Sequence, residues 1–232
     1  MIARAALVFL ALIGVSGAEP SAKQVFTTIA PSSVRLRRDS DKNPGAGSGT
    51  IIEAHDGGAL VLTCAHVVEG ESAVLVDLDE EGRPIRTLPG LVVKRDEDHD
   101  LALVQVLGST KRPARPIASV EPELYDSLYV VSAPNRIMRQ SAIERLNTKD
   151  ERSYDDEEYF KGTRWTVTGQ VIPGMSGSAM TNAEGEIVCL TQAVATWGDE
   201  DITQVGYAVP LRFIRAFLKG VKAGPQHAQV LP

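Results

Sequence analysis

The sequence predicts an all-β fold, a sandwich or barrel, with one helix near its end. Three observations predict it. Short apolar, β-branched runs recur along the chain, broken by glycine, proline and acidic turns; this is how short strands read. Asn182-Ala183-Glu184-Gly185 has the composition of a hairpin turn between two such runs. One segment, after Pro210, places apolar residues at helical spacing.

Composition bounds the rest. A chain of 232 residues suits one globular unit or two similar halves, and 43% hydrophobic residues allow a sizeable core. A net charge of −6 gives no basis for a nucleic-acid surface. Two cysteines cannot make a four-cysteine zinc site, and the four histidines lack His-Glu-x-x-His spacing, so neither a metal nor a cofactor is expected.

Residues 1–18 read as a signal peptide: Arg4, an apolar stretch from Ala5 to Val15, then Ser16-Gly17-Ala18. That stretch is short for a bilayer span, and an uncleaved anchor is the competing reading. The expectation is an exported protein, periplasmic or secreted, without stable membrane insertion after signal removal. The strand-like runs then follow in order: Thr50-Ile51-Ile52, Leu60–Thr63, Val74-Leu75-Val76, Leu91-Val92-Val93, Leu101–Val104, Leu128–Val131, Trp165-Thr166-Val167 and Ile187–Leu190. Residues 112–122, with prolines at 113, 116 and 122, read as a linker between an N-terminal half, 19–111, and a C-terminal half, 123–232. Asp150, Glu151 and Asp155 to Glu158 crowd into one polar stretch, expected to be a surface loop rather than a metal site. In the final helix Pro210 suits the first position, Gly220 the stop, and Leu211, Ile214, Phe217 and Leu218 share a face.

Three segments carry chemistry. In Pro173-Gly174-Met175-Ser176-Gly177-Ser178 a serine sits in a glycine turn before a strand. Such a turn lets two N–H groups converge on one developing oxyanion. Serine needs a base beside it, because its hydroxyl is a poor nucleophile at neutral pH. His66, directly after the run Leu62-Thr63-Cys64-Ala65, is the candidate. Asp100 directly abuts Leu101-Ala102-Leu103-Val104, and a carboxylate there is costly to bury without a partner such as a histidine N–H. Taken singly, each residue also has a bland reading: a common glycine–serine turn, a satisfied core histidine, the solvated end of an acidic run.

Together, in the order His, Asp, Ser, they resemble the trypsin-like serine proteases, and among these the bacterial HtrA/Deg-type protease domain. The matching segments are Gly47-Ser48-Gly49-Thr50-Ile51-Ile52, Leu62 to Val68, Asp100 to Leu103, Gly174 to Ser178 and Gly206-Tyr207-Ala208-Val209-Pro210. The resemblance implies two six-stranded antiparallel β-barrels with the site in the cleft between them. It implies His66 as general base, Asp100 as orienting acid, Ser176 as nucleophile, and the N–H groups of Gly174 and Ser176 as an oxyanion hole. Protein or peptide substrates would follow; oligomeric state is left open.

Departures from the family pattern carry expectations too. Met175 stands where the family usually has Asp or Asn, so activation by an ion pair to a freed N-terminus is not expected. Ser178 replaces a usual glycine. No C-terminal PDZ domain is expected. Gln170 falls at the base of the primary specificity pocket, and its lack of charge argues against strong preference for basic residues. The resemblance also brings Cys64 and Cys189 near the cleft floor; a disulfide between them and two buried thiols are both open. Two other readings compete: a catalytically silent binding module that keeps the barrels, and an esterase of another fold. The esterase order Ser–Asp–His and its alternating helices and strands are both missing here.

Overall fold

A computed structural model describes residues 20–38, 44–79, 85–133, 137–148, 164–169, 171–197 and 200–221. The first half supplies β1 (Ser33–Arg38), β2 (Gly45–His55), β3 (Gly58–Thr63), β4 (Ala73–Leu78), β5 (Arg86–Asp96) and β6 (Leu101–Leu107). The second supplies β7 (Ser127–Ser132), β8 (Ile137–Thr148), β9 (Arg164–Thr168), β10 (Ala179–Thr181), β11 (Ile187–Trp197) and β12 (Glu200–Pro210). Each half closes into an antiparallel barrel, in the orders β1-β2-β3-β6-β5-β4 and β7-β8-β9-β12-β11-β10. The two orders are the same. Closure runs through Leu36 opposite Val76 and through Tyr129 opposite Thr181.

The predicted runs fall where two-sided burial demands apolar residues. β3 is buried along its whole length and β6 along all but its last residue. One face of these strands fills the first barrel, and that core continues into Ala179, Ile187 and Leu190 of the second. Leu128, Ile143, Trp165, Val167, Met180 and Cys189 fill the second barrel. Gly185, at φ +79°, turns the β10–β11 hairpin, where Asn182 and Glu186 bond each other through backbone and side chain.

The C-terminal helix α2 spans Leu211–Leu218. Pro210 is its N-cap, one place earlier than the sequence suggested, and Gly220 at φ +80° follows its end. Leu211, Ile214 and Phe217 are its buried stripe. The linker residues bond both barrels: Arg115 N donates to Ile51 O and Ala118 N to Ile187 O. The sequence reading named no run for β1 or β8, held β10 only as the strand between the serine turn and the Asn182–Gly185 hairpin turn, and had no N-terminal helix α1 (Ala22–Ile29). β1 shows only Val34 and Leu36 inward between arginines. α1 is a two-turn helix, capped by reciprocal bonds of Ser21 and Gln24, whose Val25 and Ile29 pack with Tyr129 and Val131.

Candidate active site

His66 lies at the exit of β3, in the 3-10 turn His66–Val68, and is half-buried. Asp100 closes the turn between β5 and β6 with φ +55°, a left-handed conformation that Asp adopts more readily than most residues. Its carboxylate is 1% exposed and is compensated from three directions. His66 Nδ1 lies 2.9 Å from Oδ2, the His66 backbone N–H donates to Oδ1 at 3.0 Å, and Gln192 Nε2 donates to Oδ2 at 3.0 Å. A buried carboxylate survives on such bonds. They also set the imidazole: Nδ1 must carry its proton toward Asp100, which leaves Nε2 as the basic nitrogen.

Ser176 sits in the connection from β9 to β10. Gly174 at φ +90° and Gly177 at φ +84° shape that connection. A Cβ on Gly177 would lie 2.1 Å from Ser48 O, so only glycine lets the turn close on the first barrel. Gly177 N donates to Thr191 O, and Ser178 N to Met175 O. Ser176 Oγ donates to Gln192 O at 3.0 Å. Met175 is 1% exposed in the second barrel's core, with Ile172 N–H directed at its sulfur. Met175 thus anchors the turn to the second barrel's core through apolar packing.

The two cysteines overturn the bonded reading. Both are free, buried thiols. Cys64 Sγ donates to Thr191 O at 3.3 Å and belongs to the core shared between the barrels, whereas Cys189 faces the interior of the second barrel. Alternation along β11 turns Leu190 toward the first barrel and Cys189 away from it. Donor atoms of Cys64, His66 and Asp100 lie within 4.8 Å of one another. Burial, and then the nearby Asp100 charge, push the Cys64 thiol well up, so it stays protonated, while His66 and Asp100 are spent on each other. Hydrogen bonding accounts for this cluster. Gln170 and the acidic stretch 150–158 lie outside the described residues. Sequence reasoning missed Gln192, since a polar residue following an apolar run carries no signal of what it faces.

The fold, the half-buried histidine on a buried aspartate and the serine in a glycine turn define a trypsin-like peptidase domain. A family model of that description matches residues 47–190, and the chain belongs to that family. It is 30% identical over 211 residues to a putative serine protease HhoA of Synechocystis sp., covering 89% of this chain and 49% of that protein. It is 25% identical to a serine protease Do-like HtrA of Bacillus subtilis, covering 73% of this chain and 38% of that one. The chain therefore spans half or less of these relatives. Among solved structures, the active form of the Rv3671c protease from M. tuberculosis superposes with a TM-score of 0.70 at 20% identity, covering 89% of each chain. At that identity the likeness concerns the fold.

Proposed function

We propose that this chain is a serine endopeptidase acting through His66, Asp100 and Ser176. The observation that carries the reading is the pairing of His66 Nδ1 with a carboxylate only 1% exposed, 2.9 Å away. In the first step Ser176 turns its hydroxyl from Gln192 O toward His66 Nε2. The Ser176 oxygen bonds the substrate carbonyl carbon as its proton passes to His66. The N–H groups of Gly174 and Ser176 receive the developing oxyanion. The carbon–nitrogen bond then breaks, His66 returns the proton to the leaving amine, and an acyl ester remains on Ser176. Water, activated by His66, hydrolyses that ester. Asp100 holds the ring and stabilises its cationic form throughout.

Met175, anchored in the core, supports activity without trimming beyond signal removal. The uncharged Gln170 argues against a strong preference for basic residues, and residues 1–18 support export. No helix among the described residues is long and apolar enough to cross a membrane. The test is casein cleavage together with labelling by a fluorophosphonate. Ser176→Ala is expected to remain folded while losing both, by several orders of magnitude in rate. Wild-type protein that neither cleaves nor labels is the silent binding module instead. Cleavage of simple esters but not casein indicates an esterase.

A further inference from the structure

The segment Gly47-Ser48-Gly49 belongs to the family resemblance but takes no part in the proposed chemistry. Ser48 is completely buried on β2, and every polar atom it has is engaged. Its backbone N–H donates to Ser176 O at 2.8 Å. Its carbonyl accepts from Thr63 Oγ1 at 2.7 Å, on the strand that delivers His66. Its hydroxyl lies 2.7 Å from Gly174 O and 3.2 Å from Ala133 N. The last pair fixes the hydroxyl's orientation without ambiguity. Ala133 N–H can only donate, so Oγ accepts there. Gly174 O can only accept, so the one hydroxyl proton goes to it.

No side chain could fill this corner by enlarging its neighbours. A Cβ on Gly47 would lie 2.6 Å from Val67 and 3.0 Å from Ser176 O. The first barrel is thereby pressed directly against the serine turn. Gly174 meanwhile has φ +90°, in a region where glycine has more than one accessible peptide orientation. An oxyanion donor at such a residue needs its neighbouring peptide pinned from outside.

We propose that Ser48 is the positioning residue of the oxyanion hole: its hydroxyl, reaching across from the first barrel, locks the Gly174–Met175 peptide so that the turn presents its N–H groups to substrate. This inference rests on the serine-protease reading. Through Thr63 and Ser176 O the same residue couples the His66-bearing strand to the nucleophile, so barrel docking and oxyanion geometry are set at one point.

The experiment compares wild type, Ser48→Ala and Ser48→Cys in three measurements: fluorophosphonate labelling, peptide kcat and KM, and affinity for a peptide boronate, whose tetrahedral adduct occupies the oxyanion position. Removing one oxyanion donor outright typically costs a hundredfold or more, and here the donors remain but lose their aim. Ser48→Ala is therefore expected to lower kcat roughly tenfold to a hundredfold with KM nearly unchanged, and to weaken the boronate in parallel. Ser48→Cys, close in size with a weaker donor, is expected to fall between. It carries the test if the alanine variant fails to fold. A folded variant that loses thermal stability but keeps wild-type kcat and boronate affinity overturns the positioning role while leaving the function standing. Wild-type protein that never labels at Ser176 overturns both.

Discussion

The two barrels share one strand order, and each places one residue of the proposed chemistry, His66 or Ser176, in the same place, the connection between its third and fourth strands. In the first barrel that connection, 64–72, holds His66; in the second, 169–178, it holds Ser176. They are held by different physics. His66 is fixed by a side chain, the Asp100 carboxylate, which takes both its ring and its backbone N–H. The Ser176 turn is fixed by backbone conformation: two glycines at positive φ, main-chain bonds to β11, and Met175 buried as an anchor. Basicity must be tuned by a charge, whereas oxyanion donors must be aimed by a backbone. The first barrel's contribution should therefore fail when charge is removed, and the second's when volume or φ is violated.

Asp100→Asn attacks the charge alone. Asparagine tolerates the φ of +55° as well as aspartate does. Its single amide oxygen cannot accept from His66 Nδ1, the His66 backbone N–H and Gln192 Nε2 together, and its NH2, turned toward Nδ1, selects the wrong imidazole tautomer. The expected outcome is a loss of about four orders of magnitude in kcat with the fold retained. A variant within tenfold of wild type would show that the first barrel's role is not electrostatic.

Gly177→Ala attacks the other half. The new Cβ would meet Ser48 O at 2.1 Å and Thr63 Oγ1 at 2.3 Å, at φ +84°. Strain and overpacking together should cost about 3 kcal/mol or more in urea unfolding. Gly70→Ala is the matched control, in the corresponding connection of the first barrel. It has φ +75° but nothing within 4 Å of the added carbon, so about 1 kcal/mol is expected. Equal losses in the two variants would show that φ alone, not closure of the interface, dictates glycine. Gln192→Met then sharpens the division, since Gln192 serves both halves: its amide bonds Asp100 and its carbonyl takes the Ser176 hydroxyl. Methionine keeps the volume and the carbonyl but removes the donor. Roughly a tenfold fall in kcat is expected, the size of a lost bond to a charged group; an unchanged kcat means that His66 alone suffices to orient the carboxylate.

Legibility followed the same divide. Strands buried on both faces, such as β3 and β6, announced themselves as unbroken apolar runs. β1 did not, because a strand with two inward residues between arginines resembles a loop. The shared barrel order left no trace as a sequence repeat, since strand order is carried by pairing rather than by residue identity. His66, Asp100 and Ser176 stood out through their positions at the ends of apolar runs or inside glycine turns. Gln192 and the engagement of Ser48 did not, because each is defined by partners more than 80 residues away. The cysteine pairing failed for a related reason. Proximity to a common cleft does not fix side-chain direction, and alternation along β11 points Cys189 away.

The smallest effect is expected farthest from the cleft. β4 lies diametrically opposite β3 in the first barrel's ring. There Asp77, itself buried, accepts from Arg37 Nε at 2.6 Å, from Arg37 Nη2 at 3.1 Å and from Thr87 Oγ1 at 2.7 Å. Burial alone would raise its pKa, but the Arg37 and Thr87 bonds outweigh it and hold the carboxyl below its ordinary value of 3.8. A depressed folded value means that the ionised form is favoured in the native state. The contribution is therefore fully present above the unfolded carboxylate pKa and is lost as pH falls through the lower folded value. Arg37 is about one-third exposed, so solvent screening limits the gain. Asp77→Asn is expected to cost about 1 kcal/mol at neutral pH. Its stability should converge on that of wild type as pH drops below the ordinary carboxylate range, with kcat unchanged throughout. Urea unfolding at a series of pH values measures this. A deficit that persists undiminished in acid would mean that Asp77 acts through shape and hydrogen bonding rather than charge, and would extend to the first barrel's wall the backbone-and-packing logic that otherwise distinguishes the second.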